Sequence, residues 1–539
     1  MLESGTITAV PTIRTWTAPL EAMLLGALAG GSVATLAPGG GLLRLAVAAA
    51  LGAILGSRLS GDRGSSAPTT APTILRFAPW LGLILLLPIL TLPVAPGADM
   101  AMHVALARAL REGTRTLSPA WGAVEVSAYP RGFSAWVALL SPLLGYARAG
   151  LLVGCASYLL YQLALQRLFE AFTVPLAAPL AVLCVFIAKV PQSFFTWGGN
   201  PTAFAAALAL LAVAELVRRS AERPLRTAAF VALLLAGAAA AHPMGACVGV
   251  LSLAAMPLLP RLRTLRSLLA VALGLLGLAG AFLWLRLGGP SLSPREAAWI
   301  FDNQHSTEAL APGSPLLWPL RVFFALPRLL GPAYVITLGV AVLLELASPV
   351  GRRRVALAAG GMSLLASLLA VGPSLPLLGI LFNPARFAPL LVLAGAPLVA
   401  HAASGLFAAR PRIGLGAASL ALLAALSVRA YVTGHAVPIA TENDVESLRC
   451  IAATIPTDAL IDGPYGDATQ WIPALTGRAI TRPHQHCTLF DEIDAALPAK
   501  KPTHRFVGER LRYGVPLPGP TPQTQPICQK GRAALYALP

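Results

Sequence analysis

Asp99 and His103 stand four residues apart in "PGADMAMHVALARAL" (96–110), directly after an apolar stretch long enough to cross a bilayer. Residues four apart on a helix share a face, so this carboxylate and imidazole can address one spot. Such a pair can act as a general base with a supporting imidazole, or as a weak metal pair. The plain alternative is that Asp99 caps the helix and His103 packs at the interface. Only 23 acidic residues occur among 539, so a carboxylate at a bilayer rim calls for a reason.

Other polar groups fall in the same compartment once the apolar runs are threaded in alternation. "EVSAYPRGFSAW" brings Glu125, Tyr129 and Arg131, and "FFTWGGNPT" brings Trp197 and Asn200. "AHPMG" puts His242 at a turn between two apolar runs. "SPREAAWIFDNQH" adds Arg295, Glu296, Asp302 and His305, and "FNPARFAP" adds Asn383 and Arg386. Trp197 alone reads as an interfacial anchor, and His242 before Pro243 as a partner for a broken helix end. Arg386 sits near a helix start, a poor place for a cation in the helix dipole, which favours a specific anion over simple snorkelling. Taken together, these groups suit a substrate with a lipid tail in the bilayer and a phosphate at headgroup depth. Arginine offers phosphate a planar fork, and a carboxylate can accept the proton of an attacking hydroxyl.

The elements that must position these groups are membrane helices. The chain is 56% hydrophobic and 12% charged, with a mean hydropathy of +0.71, more apolar surface than a soluble domain can hide. The net charge of +17 does not indicate nucleic acid. Its arginines sit in short clusters such as "VRRSAERPLR", "PRLRTLR", "VGRRR" and "ARPR", without interleaved aromatics or a folded basic face. Clusters of this kind mark cytoplasmic loops.

At about 20 apolar residues per crossing, the predicted spans are 17–37, 41–58, 77–95, 149–168, 174–191, 201–218, 225–241, 244–259, 267–286, 332–349, 354–371, 386–403 and 412–431. That makes about 13 crossings. The stretch "GFSAWVALLSPLLG" (132–145) is too short to span and reads as an interfacial helix. Charge and alternation agree when it does not cross: the N-terminus is then cytoplasmic, and the C-terminus and loop 96–148 lie outside. No cleavable signal peptide is evident at the N-terminus.

The expected fold is therefore mainly α. A transmembrane hairpin and cytoplasmic loop occupy 1–76, and a transmembrane core carrying outer loop 96–148 occupies 77–432. A small soluble extracytoplasmic α/β domain occupies 433–539. In that domain "TENDVESLRCIAATIP" reads as a helix with Thr441 or Asn443 near its N-cap. "ALIDG" and "RAIT" read as short strands, with "ATQWIPALTG" a helix or turn between them. Cys155, Cys184 and Cys247 lie in apolar runs and read as core residues. Cys450, Cys487 and Cys528 lie in the polar domain, where the expected bridge is Cys487–Cys528, with Cys450–Cys487 the alternative.

These residues resemble the GT-C class of integral-membrane glycosyltransferases, which use polyprenyl-phosphate sugars. Within it they are most similar to a bacterial branch with a tyrosine–proline–any–glycine motif in the first large outer loop. Asp99 with His103, "YPRGF" (129–133) and the segment after it, "WGGNP" (197–201) and "DATQWIPALTGRAITRPH" (467–484) carry the likeness. The middle spans match in hydropathy only.

The resemblance implies a GT-C-like core and an inverting, single-displacement transfer with Asp99 as catalytic base, supported by His103. Tyr129, Arg131, Trp197, Asn200, His242, Arg295 and Arg386 are the expected substrate contacts. The partners are a polyprenyl-phosphate sugar donor, a glycan, lipid or protein acceptor, and membrane lipids. Many members carry two adjacent acidic residues in this loop. Here Met100 follows Asp99, which weakens a metal role and leaves a divalent cation as the one cofactor still open. Two other classes compete. A transporter or flippase would need polar residues at mid-membrane depth, whereas Lys189, Glu215 and Glu345 lie toward span ends. A non-catalytic envelope scaffold would need only the C-terminal domain.

Overall fold

The computed structural model describes residues 14–36, 41–60, 78–113, 130–242, 326–371, 384–427, 438–481, 501–509 and 525–539, with short omissions inside some of these ranges. Among them the chain is mainly helical with one small mixed sheet. Ten described helices precede residue 243: α1 (Arg14–Val33), α2 (Leu42–Ser60), α3 (Ala78–Leu90), α4 (Ala98–Glu112), α5 (Gly132–Ala171), α6 (Ala177–Ile187), α7 (Lys189–Gln192), α8 (Phe194–Trp197), α9 (Asn200–Arg219) and α10 (Pro224–Ala241). Then come α11 (Pro332–Leu346), α12 (Pro349–Val371) and α13 (Pro384–Ala409).

Four described stretches are long and apolar enough to cross a membrane: Leu42–Leu59, Gly132–Ala171, Asn200–Arg219 and Pro224–Ala241. Shorter apolar helices occupy Leu20–Val33, Trp80–Leu90, Ala177–Ile187, Pro332–Leu346 and Gly395–Ala409. The expected spans 244–259 and 267–286 lie outside the described residues, and 412–431 is helical wherever it is described. The expected span 174–191 is shortened because Ala188 is extended (φ −70°, ψ 137°), which ends α6 at Ile187.

α1 and α2 form an antiparallel hairpin built on small residues. A side chain at Gly26 would begin 2.1 Å from the Gly52 carbonyl oxygen, and one at Gly56 would begin 2.1 Å from that of Ala22. Small residues four apart let two apolar helices approach backbone to backbone, where dispersion contacts replace the hydrophobic drive that lipid cannot supply. α9 is the central helix, with every residue from Asn200 to Leu216 buried. Leu43, Ile336 and Leu343 are 79%, 67% and 70% exposed, as suits helices that meet lipid rather than water.

α5 joins the expected interfacial segment to the next expected span in a single helix broken at Gly145, where φ is +74°. Pro142 lies three residues earlier and removes a backbone donor from the same turn.

Among the described residues the C-terminal part pairs α14 (Glu442–Thr454) and α15 (Ile472–Thr476) with five strands: β1 (Leu460–Asp462), β2 (Ala479–Ile480), β3 (His504–Val507), β4 (Cys528–Lys530) and β5 (Ala533–Ala537). Thr441, one of the two residues expected near the N-cap, caps α14, and it does so through a reciprocal capping box with Asp444. β1 and β2 fall where "ALIDG" and "RAIT" put them, and they pair in parallel. The sheet order is β2-β1-β3-β5-β4, with β1 parallel to β3 and the β3–β5–β4 part antiparallel.

The disulfide joins Cys450 to Cys528, with Cα atoms 5.9 Å apart. This corrects both expected pairings, Cys487–Cys528 and Cys450–Cys487. The β4–β5 hairpin packs against α14 and brings Cys528 under the last turn of that helix, where Cys450 lies. Cys487 is outside the described residues.

Candidate functional site

α4 is the element that presents Asp99. It is a short amphipathic helix between the end of α3 and the loop before α5, and its outer part meets the soluble domain. Its N-cap is Gly97, in an extended left-handed conformation (φ 88°) and with no side-chain cap. Asp99 therefore does not serve as the cap. It sits in the first turn, where the helix dipole favours an anion, and it is half-buried. His103, one turn on, is 3% exposed and lies edge-on to Phe133, ring centres 5.8 Å apart, while Phe133 contacts Phe204 of α9 at 6.2 Å.

The "WGGNP" segment packs directly on this turn. Gly198 has φ +96°, and a side chain there would begin 2.7 Å from the Met100 amide nitrogen and 2.9 Å from Asp99 Cβ. Only glycine meets both demands. Asn200 then ties three helices together. Tyr158 of α5 donates its hydroxyl to Asn200 Oδ1 at 3.0 Å, and Asn200 Nδ2 lies 3.3 Å from Met100 Sδ. Asn200 is 0% exposed, so it fixes the turn that carries Asp99 from behind.

Arg131 precedes α5 and is buried, donating from Nη2 to the Thr35 carbonyl at 2.7 Å. Burial, with help from nearby Arg44, lowers its pKa to about 10. It closes the exposed carbonyl end of α1. A side chain at Gly132 would meet the backbone of Ala240 and Ala241, so the end of α10 and its C-cap His242, 3% exposed, abut the start of α5. Asp99, His103, Arg131, Asn200 and His242 thus gather at one end of the bundle. Trp197 closes α8 immediately before Gly198, and Arg386 lies in the first turn of α13; only their backbones are described. Tyr129, Arg295, Glu125, Glu296, Asp302, His305 and Asn383 lie outside the described residues. Among the described residues no group of three or more His, Cys, Asp or Glu could hold a metal ion.

The soluble domain docks on the other side of α4. Arg108 pairs with Glu112 at 2.7 Å and reaches the Ala474 carbonyl at 3.5 Å. Arg108 and Arg111 both lie over the Tyr146 ring, at 5.4 and 5.7 Å. The "DATQWIPALTGRAIT" motif is the docking surface and its internal bracing. Arg478 donates to the carbonyls of Ile455, Ala452 and Thr476, closing the C-terminal end of α14.

Asp467 caps the 3-10 turn Ala468–Trp471, accepting from the Thr469 amide at 2.8 Å. It is 0% exposed, and burial pushes its carboxyl up to about 7, with Asp444 adding to the rise against the Thr469 hydrogen bonds. An Asp whose folded pKa lies above its unfolded one loses stabilisation as pH rises through that window. Unfolding of the soluble domain in the full chain should therefore ease by on the order of 3 kcal/mol between pH 5 and pH 8. Asp467→Asn should flatten that slope in calorimetric scans, and an unchanged slope would move the titration elsewhere.

At the opposite end of the bundle arginines pair with carboxylates. Arg167 pairs with Glu21 and Glu170, and Arg218 and Arg219 reach Glu215 at 3.7 and 3.0 Å. Arg354 pairs with Glu345 at 3.1 Å. No protein-family model matches the chain, and no curated protein matches it.

Proposed function

We propose that this chain is an integral-membrane glycosyltransferase that moves a sugar from a polyprenyl-phosphate donor to a hydroxyl of an envelope glycan, lipid or protein. The observation that carries the reading is the half-exposed Asp99 carboxylate, held in the first turn of α4 by Gly198 and Asn200 with buried His103 behind it. A rigid backing of this kind is what a general base needs, since misplacing the proton acceptor by about 1 Å forfeits much of its effect.

In the proposed step the acceptor oxygen attacks the anomeric carbon. The bond from that carbon to the phosphate oxygen breaks, and Asp99 takes the hydroxyl proton. One displacement inverts the configuration. The phosphate leaves with the bonding pair, and fixed positive charge stabilises it. Arg386, in the first turn of α13, is the assigned phosphate partner. Tyr129, Trp197, His242 and Arg295 complete the proposed substrate surroundings, while Arg131 and Asn200 hold the helices that form it.

The reading sets the end bearing Asp99 and the soluble domain outside the inner membrane and the N-terminus inside, with about 13 crossings. The arginines at the opposite end support this orientation, as does a disulfide in the soluble domain. The test is donor binding. Arg386→Ala should weaken affinity for a polyprenyl-phosphate sugar about 30- to 150-fold, the worth of a charge-assisted hydrogen-bond pair. Arg386→Lys should restore only part, because lysine lacks the fork. Unchanged affinity in the alanine variant would make Arg386 a headgroup anchor and remove the donor site from this end of α13.

A further inference from the structure

The kink of α5 and one face of α14 enclose a groove of about 480 Å³ that Asp99 does not line. Sequence explains both walls. "LLGYAR" (143–148) puts two leucines, the hinge glycine, a tyrosine and an arginine at the point where α5 turns. In α14, Glu442, Glu446 and Arg449 stand at i, i+4 and i+7 and so share a face, and that face lines the groove.

The groove carries both signs of charge in fixed places. Arg148 is anchored by Nη1 to the carbonyls of Leu90 and Leu92, at 3.2 and 2.9 Å, which holds its guanidinium at the wall. Arg449 lines the same groove from α14. Glu446 is engaged by Lys530 at 3.6 Å, so Glu442 is the carboxylate left to set the local balance. Tyr146, gripped by Arg108 and Arg111, forms the floor. Leu144 of the lining and its neighbour Leu143 are 42% and 83% exposed, on a helix that is apolar enough to cross a membrane. Exposed leucines beside a polar groove at the hinge of such a helix fit acyl chains below a headgroup.

We infer that this groove is a binding site for a glycerophospholipid whose head carries both a phosphodiester and a primary ammonium. The phosphate lies between Arg148 and Arg449, each offering a planar fork. The ammonium donates to the Glu442 carboxylate, and the acyl chains run along Leu143 and Leu144. A lipid with a bare anionic head leaves Glu442 facing negative charge, and a trimethylammonium head has no N–H to donate. The inference needs the membrane reading but not the transferase reading, and a lipid seated here would fasten the soluble domain to the hinge of α5.

Native mass spectrometry of the full chain, stripped of lipid and titrated with defined lipids, tests it. Dioleoyl phosphatidylethanolamine should bind roughly tenfold more tightly than dioleoyl phosphatidylcholine or phosphatidylglycerol, the worth of about one charge-assisted hydrogen bond. Glu442→Gln should bring the ethanolamine lipid down to the level of the choline lipid and leave the choline lipid unchanged. Arg148→Gln should weaken both by a similar factor. Arg449→Gln, on the exposed face of α14, should do the same and serves if Arg148→Gln does not fold. Glycerophosphoethanolamine, the same head without tails, should show no retention at concentrations that saturate the lipid. Equal binding of all three lipids by the wild type, or an ethanolamine preference that survives Glu442→Gln, would overturn the proposal. Equally tight binding of the tail-less head would overturn the lipid and leave a site for a free phosphoamine.

Discussion

Asp99→Asn should leave the fold and donor binding near wild type while turnover falls about 10²- to 10⁴-fold, the usual worth of a general base. The substitution keeps the shape of the side chain. Because Gly97, not Asp99, is the N-cap of α4, no capping hydrogen bond is lost. Removing the charge from the first turn costs about 0.3–1 kcal/mol. Asp99→Ala should behave alike in turnover. His103→Ala should lose stability as well as rate, since the ring is buried against Phe133 and its removal leaves a cavity. Paired stability and turnover measurements separate the roles: full turnover in Asp99→Asn would leave the carboxylate a helix-dipole residue.

The second large effect belongs to the disulfide. The Cys450–Cys528 bridge spans 78 residues, and on the loop-entropy account closing such a loop stabilises by about 4–5 kcal/mol. Cys450→Ala/Cys528→Ala should therefore leave the soluble domain close to unfolding, with β4 released from α14, while the helical bundle persists. Alanine avoids burying a hydroxyl at Cys528, which is 1% exposed. Limited proteolysis should cut the variant between residues 501 and 539 under conditions that spare the wild type, and reductant should reproduce the effect. Peptide mapping that finds Cys487 bridged to either partner would contradict this account.

Local signals in the sequence reached the elements that are local in structure. The four-residue spacing of Asp99 and His103, the N-cap near Thr441, and the strand patterns of β1 and β2 all survive because neighbours along the chain decide them. The stretch 132–145, too short to span by its length, runs into the next expected span as one helix broken at Gly145, a join that length alone does not reveal. Strands β3, β4 and β5 went unread: they are three to five residues long, and β3, which joins the β4–β5 hairpin to β1, has partners only at distant positions in the sequence. The disulfide failed for the same reason, since choosing among three cysteines needs the hairpin that carries Cys528 to α14. In the site, Arg131 and Asn200 read as substrate contacts by residue type. Only the neighbouring helices reveal that one closes the end of α1 and the other clamps Met100 to α5. No spacing rule carries that information.

The central claim is tested most directly by consumption of the donor. The purified full chain, in lipid and with an envelope extract supplying acceptors, is incubated with a panel of polyprenyl-phosphate hexoses and pentoses, and released polyprenyl phosphate is followed. The account predicts that wild type consumes at least one donor, giving a product of inverted anomeric configuration, and that Asp99→Asn is slower by about a hundredfold or more. Donors left intact by wild type, or consumed equally by both proteins, would contradict it.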